Sequence, residues 1–239
     1  MNTKLLIKYT LIITILLILN MGHSRNAFCQ EEEVNLKTWT TGDFDKAVME
    51  GTFKVFLKQG DKNGVTIKSG YSDITDYIDV KTARGTLYIK IKRKPFDFSS
   101  IEIYITFNTL SRLEIDGGIK LETDGYLDLE DIFIRIRGGS RMKFFTKVRD
   151  MKLVNEGGVL IELSGVADHF DVRIAGAGHI DASEMKSGDV SFKIEGVGTG
   201  IVYATKTLNA EIIGAGKLKY RGNPRVTKKI EGLGSVQSE

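Results

Sequence analysis

The residues with the most obvious chemical potential gather in one window, Asp168, His169, Asp171, His179, Asp181 and Glu184, which holds two of the chain's three histidines. Paired carboxylates on one outer face are what a polysaccharide hydrolase or lyase needs: one to give a proton, the other to take one or to attack. A histidine beside them adds a group that titrates near neutral pH. Against that reading, no pair shows the helical spacing of metal ligands, and nothing nominates a nucleophilic serine. A solvated outer surface explains the same residues. The expectation is therefore no catalytic residue, no metal ligand and no cofactor.

Two other patterns invite chemistry. Gly214-Ala215-Gly216-Lys217 comes nearest to a phosphate-binding loop. It lacks the Gly-Lys-Ser/Thr ending and an amphipathic helix behind it, and the same element recurs elsewhere in the chain, so a structural corner accounts for it better. The corners also differ from the nonapeptide calcium repeat, because no regular Asp follows each glycine pair. Trp39, Tyr71, Tyr77, Tyr88, Tyr104 and Tyr126 could stack on sugars if exposed. As strand residues they would be half-buried or would cap the core. The outer Lys, Arg and Glu residues read as a solvated ladder.

The elements that must position these groups form a repeat. Glycine-containing corners recur seven times: Asp116-Gly117-Gly118, Gly138-Gly139-Ser140, Glu156-Gly157-Gly158, Gly176-Ala177-Gly178, Gly196-Val197-Gly198, Gly214-Ala215-Gly216 and Gly232-Leu233-Gly234. Taking Gly117, Ser140, Gly157, Gly178, Gly198, Gly216 and Gly234 as equivalent gives spacings of 23, 17, 21, 20, 18 and 18 residues. That period belongs to solenoids. Even offsets from each corner are mostly apolar, including Ile134 and Ile136, Val172 and Ile174, and Phe192 and Ile194; odd offsets carry Glu114, Lys143, Glu162, Arg173 and Lys193. Alternation of this kind buries one strand face. Ile201 and Ile213 break the pattern on the outside and Lys228 breaks it on the inside. About 20 extended residues make a circuit of roughly 65 Å, enough for a rung of three short sides. An inward glycine column at the corners would relieve crowding in a narrow interior. The expected fold is all-β, a single-stranded parallel β-helix.

Residues 34–112 read as β without the repeat, with strands at Phe53–Leu57, Val65–Lys68, Ile78–Lys81, Thr86–Lys92 and Ile101–Phe107, and one helical turn over Ser72–Tyr77. They form either a small sandwich or further, longer rungs capping the coil, whose open end would otherwise expose edge hydrogen bonds. Pro95 and Pro224 fall in turns. No linker separates this section from the repeat over 113–236, so 30–239 reads as one unit.

Composition narrows the function. The 239 residues are 41% hydrophobic and 27% charged, with 26 Gly and 2 Pro, which excludes both a disordered and a collagen-like chain. Lys4 and Lys8, the apolar run Leu11–Leu19 and Ala27-Phe28-Cys29 predict a signal peptide over 1–29. Without it the formal charge of +3 falls to zero, 31 basic against 31 acidic residues, which removes the electrostatic case for a nucleic-acid partner. Cleavage after Cys29 would leave no cysteine; lipidation of Cys29, favoured by Glu31-Glu32-Glu33 and disfavoured by Phe28, is the alternative. No integral membrane span is expected in the mature chain.

The mature chain resembles the auto-transporter adhesin, head GIN-domain family of Bacteroidetes-type bacteria. The matching features are Gly51-Thr52-Phe53-Lys54-Val55, Gly85-Thr86-Leu87-Tyr88-Ile89, the strand Ile101–Phe107 and the serial Gly-x-Gly set ending at Gly222-Asn223-Pro224. Asp116 and Glu156 beside two corners, and Asn155 where glycine is usual, depart from the pattern. The resemblance implies a right-handed coil and an exported location at the cell surface, outer membrane or periplasm. It implies adhesion by name, and no site residues come with it. The expected function is an exported, non-enzymatic adhesin or envelope-binding protein whose partner is a glycan, matrix or envelope component. A carbohydrate-active β-helix enzyme and a self-associating structural envelope protein are the alternatives.

Overall fold

The structure, a computed structural model, describes residues 35–70, 73, 76–92 and 101–239. The expected signal peptide, Cys29, Tyr71 and Pro95 lie outside the described residues, as do Ser72, Ile74 and Thr75 of the turn expected over Ser72–Tyr77. The strands are β1 (Asn35–Thr40), β2 (Lys46–Gln59), β3 (Gly64–Ser69), β4 (Ile78–Ala83), β5 (Thr86–Ile91), β6 (Glu102–Phe107), β7 (Arg112–Thr123), β8 (Leu127–Arg137), β9 (Gly139–Asn155), β10 (Gly158–Ile174), β11 (Ala177–Ile194), β12 (Val197–Arg221) and β13 (Arg225–Ser238). No helix among the described residues is long and apolar enough to cross a membrane.

From β7 onward the chain is a parallel β-solenoid. Register partners put Leu113 under Ile134, then Leu153, Val172, Phe192, Ala210 and Lys228, steps of 21, 19, 19, 20, 18 and 18 residues. Each rung hydrogen-bonds to the next, which satisfies the backbone of a chain that has few local partners. Every member of this column except Lys228 is fully buried. Of the other inward residues that the alternation selects, Tyr220 is half-buried against the core, while Met142, Phe144, Ile161, Ile180 and Leu218 are buried. Each such side chain contributes about 1.5–3 kcal/mol by leaving water, and together they hold the stack.

The N-terminal section resolves the choice between sandwich and extra rungs as a mixture, with stacking out of chain order. β2 pairs with β7 from Lys46 to Leu57. Its other edge carries β5 against its first half and β6 against its second half, both parallel. β5 and β6 thus make one further rung. Antiparallel strands then cover it: β4 on β5, β3 on β6, and β1 on β3. The antiparallel strands end the parallel stack on that side. The sequence reading missed β1 and the start of β2 at Lys46; the five strands it placed are present.

The corners hold two glycine columns where the sequence reading saw one. The first runs through Gly51, Gly117, Gly138, Gly157, Gly176, Gly196, Gly214 and Gly232, and a Cβ on any from Gly117 onward would strike the carbonyl oxygen of the member before it, at 2.6 Å for Gly138. Glycine is needed here because neighbouring backbones approach rung to rung, and not because the interior is crowded. From Gly117 the spacings become 21, 19, 19, 20, 18 and 18, more even than those of the sequence alignment. The second column is Ser140, Val159, Gly178, Gly198, Gly216 and Gly234. There the interior explanation holds: a Cβ on Gly198 would lie 3.2 Å from Ile174 Cδ1. Gly117 and Gly157, grouped with this set from the sequence, belong to the first.

Asn155 is a buried amide in a column of isoleucines, between Ile136 and Ile174. Its Nδ2 donates to the carbonyls of Gly157 (3.1 Å) and Ala177 (3.2 Å), and its Oδ1 accepts from the Gly157 N–H (2.9 Å). The side chain therefore ties its corner to the next rung, which satisfies a buried polar group locally.

Candidate functional site

The six candidate residues from the sequence divide among separate surfaces. His169 and Asp171 lie on one side of the rung, before the Gly176 corner. His179 and Asp181 lie beyond it, and Glu184 follows Asp181. Asp168 is exposed beside His169, and its carbonyl faces Gly188. The two histidines share a rung, but the corner separates them. Among the described residues, no group of three His, Cys, Asp or Glu side chains could hold a metal ion.

His169 and Asp171 sit in an open groove of about 500 Å³. Two outward columns floor it, each in register from rung to rung. One is Asp131, Asp150, His169, Asp189 and Thr207; the other is Phe133, Lys152, Asp171, Ser191 and Asn209. Because successive rungs are about 4.8 Å apart, side chains in one column can reach each other. Arg149 at the lip bonds to Asp131 (2.6 Å) and Asp150 (3.0 Å). The Arg149 hydrogen bond outweighs desolvation and holds the Asp150 carboxyl below its ordinary value. His169 Nδ1 lies 3.6 Å from Asp189, whose other oxygen accepts from Thr207 Oγ1 (2.6 Å). Lys152 lies 3.6 Å from Asp171. Arg112 covers the Phe133 ring at 4.5 Å. The columns repeat mixed polar chemistry at one-rung spacing. Sequence reasoning missed Asp131, Asp150 and Asp189; aligning the rungs by their inward columns would have found them.

Asp181 and Glu184 line a second groove, of about 370 Å³, with Glu162, Lys143, Ser164 and Phe145 among its other walls. Asp181 Oδ1 accepts from the Ser183 N–H at 2.9 Å. Partial burial pushes this carboxyl up, but the Ser183 hydrogen bonds and the neighbouring His179 and Arg221 outweigh it and leave it below its ordinary value. Lys143 pairs with Glu162 (2.9 Å), and Arg221 with Glu184 (3.6 Å). His179 lines a third, shallow depression over the corner and meets Thr199 Oγ1 at 2.7 Å.

The aromatic candidates also divide. Trp39 is half-buried against the core under Lys37. Tyr104 stacks on Phe56 at 4.9 Å and donates to Glu102. Tyr126 is 44% exposed and meets Phe145, itself 43% exposed, edge to face at 4.7 Å. Phe145 was not singled out from sequence, although strand alternation would have pointed to it: Phe144 faces the core, so its neighbour must face out.

Comparison with known proteins agrees with this geometry. The family model described as "Putative auto-transporter adhesin, head GIN domain" matches residues 43–224. Among solved structures, the chain is similar to a putative adhesin of Bacteroides fragilis, with a TM-score of 0.79 and 21% identity over 87% of this chain and 97% of that one. A putative adhesin of Parabacteroides merdae matches with a TM-score of 0.68 and 18% identity, over 86% and 96% of the two chains. A protein of Parabacteroides distasonis described as a putative lipid binding protein matches with a TM-score of 0.61 and 22% identity, over 86% and 96%. A search of curated proteins finds no match. These structures share the fold. The family match spans most of the solenoid and part of its cap, and the chain belongs to the auto-transporter adhesin, head GIN-domain family.

Proposed function

We propose that this protein is an exported, non-enzymatic binder of a partner at the cell surface or in the envelope, an adhesin in the sense of its family. The observation that carries the reading is the pair of in-register outward columns, Asp131 to Thr207 and Phe133 to Asn209, which line up mostly polar and charged side chains over five successive rungs. Such a surface suits an extended partner. Catalysis would call for an acid and a base converging on one bond, and the six candidates are instead divided between grooves, His169 with Asp171 in one and Asp181 with Glu184 in the other. The apolar run and small-x-small site at the N-terminus support export. The lipid-binding description of one structural neighbour has less support here, because both grooves are rich in carboxylates.

Protease added to intact producing cells tests the location, with lysed cells and a periplasmic marker as controls. Cleavage on intact cells is the expected result, with antibody labelling in its place if the coil resists protease after lysis. Protection until lysis would withdraw adhesion and leave a periplasmic binder. A parallel assay for reducing ends released from polysaccharides tests the non-enzymatic part. Release that disappears in Asp171→Ala or Asp181→Ala would overturn it.

A further inference from the structure

The second groove stands where the solenoid departs from regularity. From Glu162 to Ser164 is two residues on β10, while the matching step on β11, Asp181 to Glu184, is three. Against β12 the same stretch of β11 is longer still, Ala182 to Lys186 facing Val202 and Tyr203. Bulges of this kind re-aim side chains and concentrate near functional sites. Here the extra residues place Ser183 and Glu184 at one end of the groove, with Glu184 well exposed. At the other end stands Phe145, with Tyr126 against its ring. Between them, in the same column, is the small Ser164, which pairs with Phe145 on one side and Glu184 on the other. The adjacent column is Lys143, Glu162 and Asp181.

We infer that this groove is a subsite for a neutral glycan, with a sugar ring stacked on Phe145 and its hydroxyls donating to Asp181 and Glu162. The assignment rests on the binding reading above and gives that reading a ligand class. An exposed aromatic pair offers an apolar platform to the C–H face of a sugar ring. Carboxylates accept hydrogen bonds and cannot donate them when ionised, so they suit hydroxyl groups. The hydrogen bonds from Ser183 keep Asp181 in that ionised form. Four carboxylates line the groove (Glu122, Glu162, Asp181, Glu184), and the cations beside them, Lys120, Lys143 and Arg221, are each already held by one of these carboxylates, which disfavours an acidic glycan. A basic ligand is less well served, because Glu162 and Glu184 already hold Lys143 and Arg221. The groove's volume, about 370 Å³, suits one or two sugar units.

The test is aromatic NMR of the purified protein, following Phe145 and Tyr126 as oligosaccharides are added. The probes are hexamers of β-linked glucose, of β-linked xylose and of N-acetylglucosamine, with polygalacturonate and hexalysine as charged controls. At least one neutral hexamer is expected to shift both rings, and polygalacturonate to shift neither. Phe145→Ala should weaken that binding about tenfold or more while melting with the parent, and Asp181→Asn should weaken it by less. No shift with any neutral hexamer overturns the assignment, as does a shift with hexalysine alone. Binding that survives both Phe145→Ala and Tyr126→Ala moves the ligand elsewhere and also overturns it. The outcomes separate from those of the cell-surface test. A surface-exposed protein whose rings ignore sugars loses only this subsite. A protein protected in intact cells whose rings respond loses only adhesion.

Discussion

The glycine corner and the outer grooves run along the same stack, one bend apart, and depend on sequence in opposite ways. At the corner, the first glycine column lets the backbone of one rung approach the carbonyl of the rung before it, and no side chain fits between them. In the grooves, Phe133, Lys152, Asp171, Ser191 and Asn209 occupy equivalent places with different chemistry and leave the rungs unchanged. The corner is specified by sterics at each rung. The groove is free of that constraint, so its residues can be chosen by what they contact outside the protein. The hydrogen bonds between rungs serve both, and a binding face on this scaffold need not compromise the packing behind it.

The largest expected effect comes from breaking the corner. Gly157→Val places a branched side chain against the Gly138 backbone, where even a Cβ finds no room. Backbone has to move, so the cost should be about 3 kcal/mol or more. Urea titration measures it, and a midpoint equal to the parent's would refute the close-approach argument. Gly178→Val and Gly198→Val test the second column, where the crowding is against side chains that can give. Val159 Cγ2 would lie 3.0 Å from a Cβ on Gly178. A smaller loss follows, about 1–3 kcal/mol. Gly157→Val proving milder than Gly178→Val would reverse the ranking of the columns.

Asn155→Ala probes a corner secured by a side-chain amide. It removes two donated hydrogen bonds and one accepted bond inside the stack. The backbone groups left behind lose buried partners, so a loss of about 1–3 kcal/mol is expected. Asn155→Leu restores an apolar side chain to the isoleucine column without those bonds. If Leu were as stable as the parent, the amide would be a packing element only. On the groove side, Phe145→Ala and Asp189→Ala should change stability by about 1 kcal/mol or less, because Phe145 is 43% exposed, the Asp189 side chain is 35% exposed, and both stand outside the core. A loss from either comparable to that of the corner variants would erase the contrast.

Much of this architecture is legible in the sequence because alternation reports burial directly. Ile134 with Ile136 and Phe192 with Ile194 each mark the core face without knowledge of their neighbours. The rung spacing is legible for the same reason. The choice between two glycine columns is not, because Gly117 and Gly118, or Gly157 and Gly158, are adjacent and either could be aligned. Only the backbone contacts decide. The stacking of β5 and β6 beyond β2 is equally hidden, since pairing across about 40 intervening residues leaves no local pattern. For the grooves, sequence found His169, Asp171, Asp181 and Glu184 by type. Type alone did not assemble them, because Asp131, Asp150 and Asp189 join His169 only through rung-to-rung register, which the inward columns carry and the corner glycines do not. The bulge at Ser183 and Glu184 breaks that register, so counting residues fails at the place where the second groove forms.

Acid should separate the two regions without mutating the corner. The hydrogen bond from Arg149 holds the Asp150 carboxyl below its ordinary value, and those from Ser183 do the same for Asp181. A carboxyl depressed in the folded state stabilises above its unfolded pKa, and that contribution is lost as pH falls through the folded value. The unfolded reference for both is 3.8. The melting temperature should therefore be level above about pH 5 and decline as pH falls below 3.8. Asp150 is exposed, so its part should be small and should shrink further in high salt. Asp150→Asn combined with Asp181→Asn should flatten part of the acid limb relative to the parent, the remainder belonging to Glu102, Glu195, Glu211 and Glu239, whose hydrogen-bonded and cationic partners also hold them below their ordinary value. Gly178→Val should lower the whole curve and leave its slope unchanged, because no ionisable group contributes to that corner contact. Thermal melts from pH 2 to 7 compare the three proteins. If the double variant and the parent trace parallel acid limbs, the groove carboxylates are not what acid titrates, and the division between a steric corner and an electrostatic face fails at its weaker end.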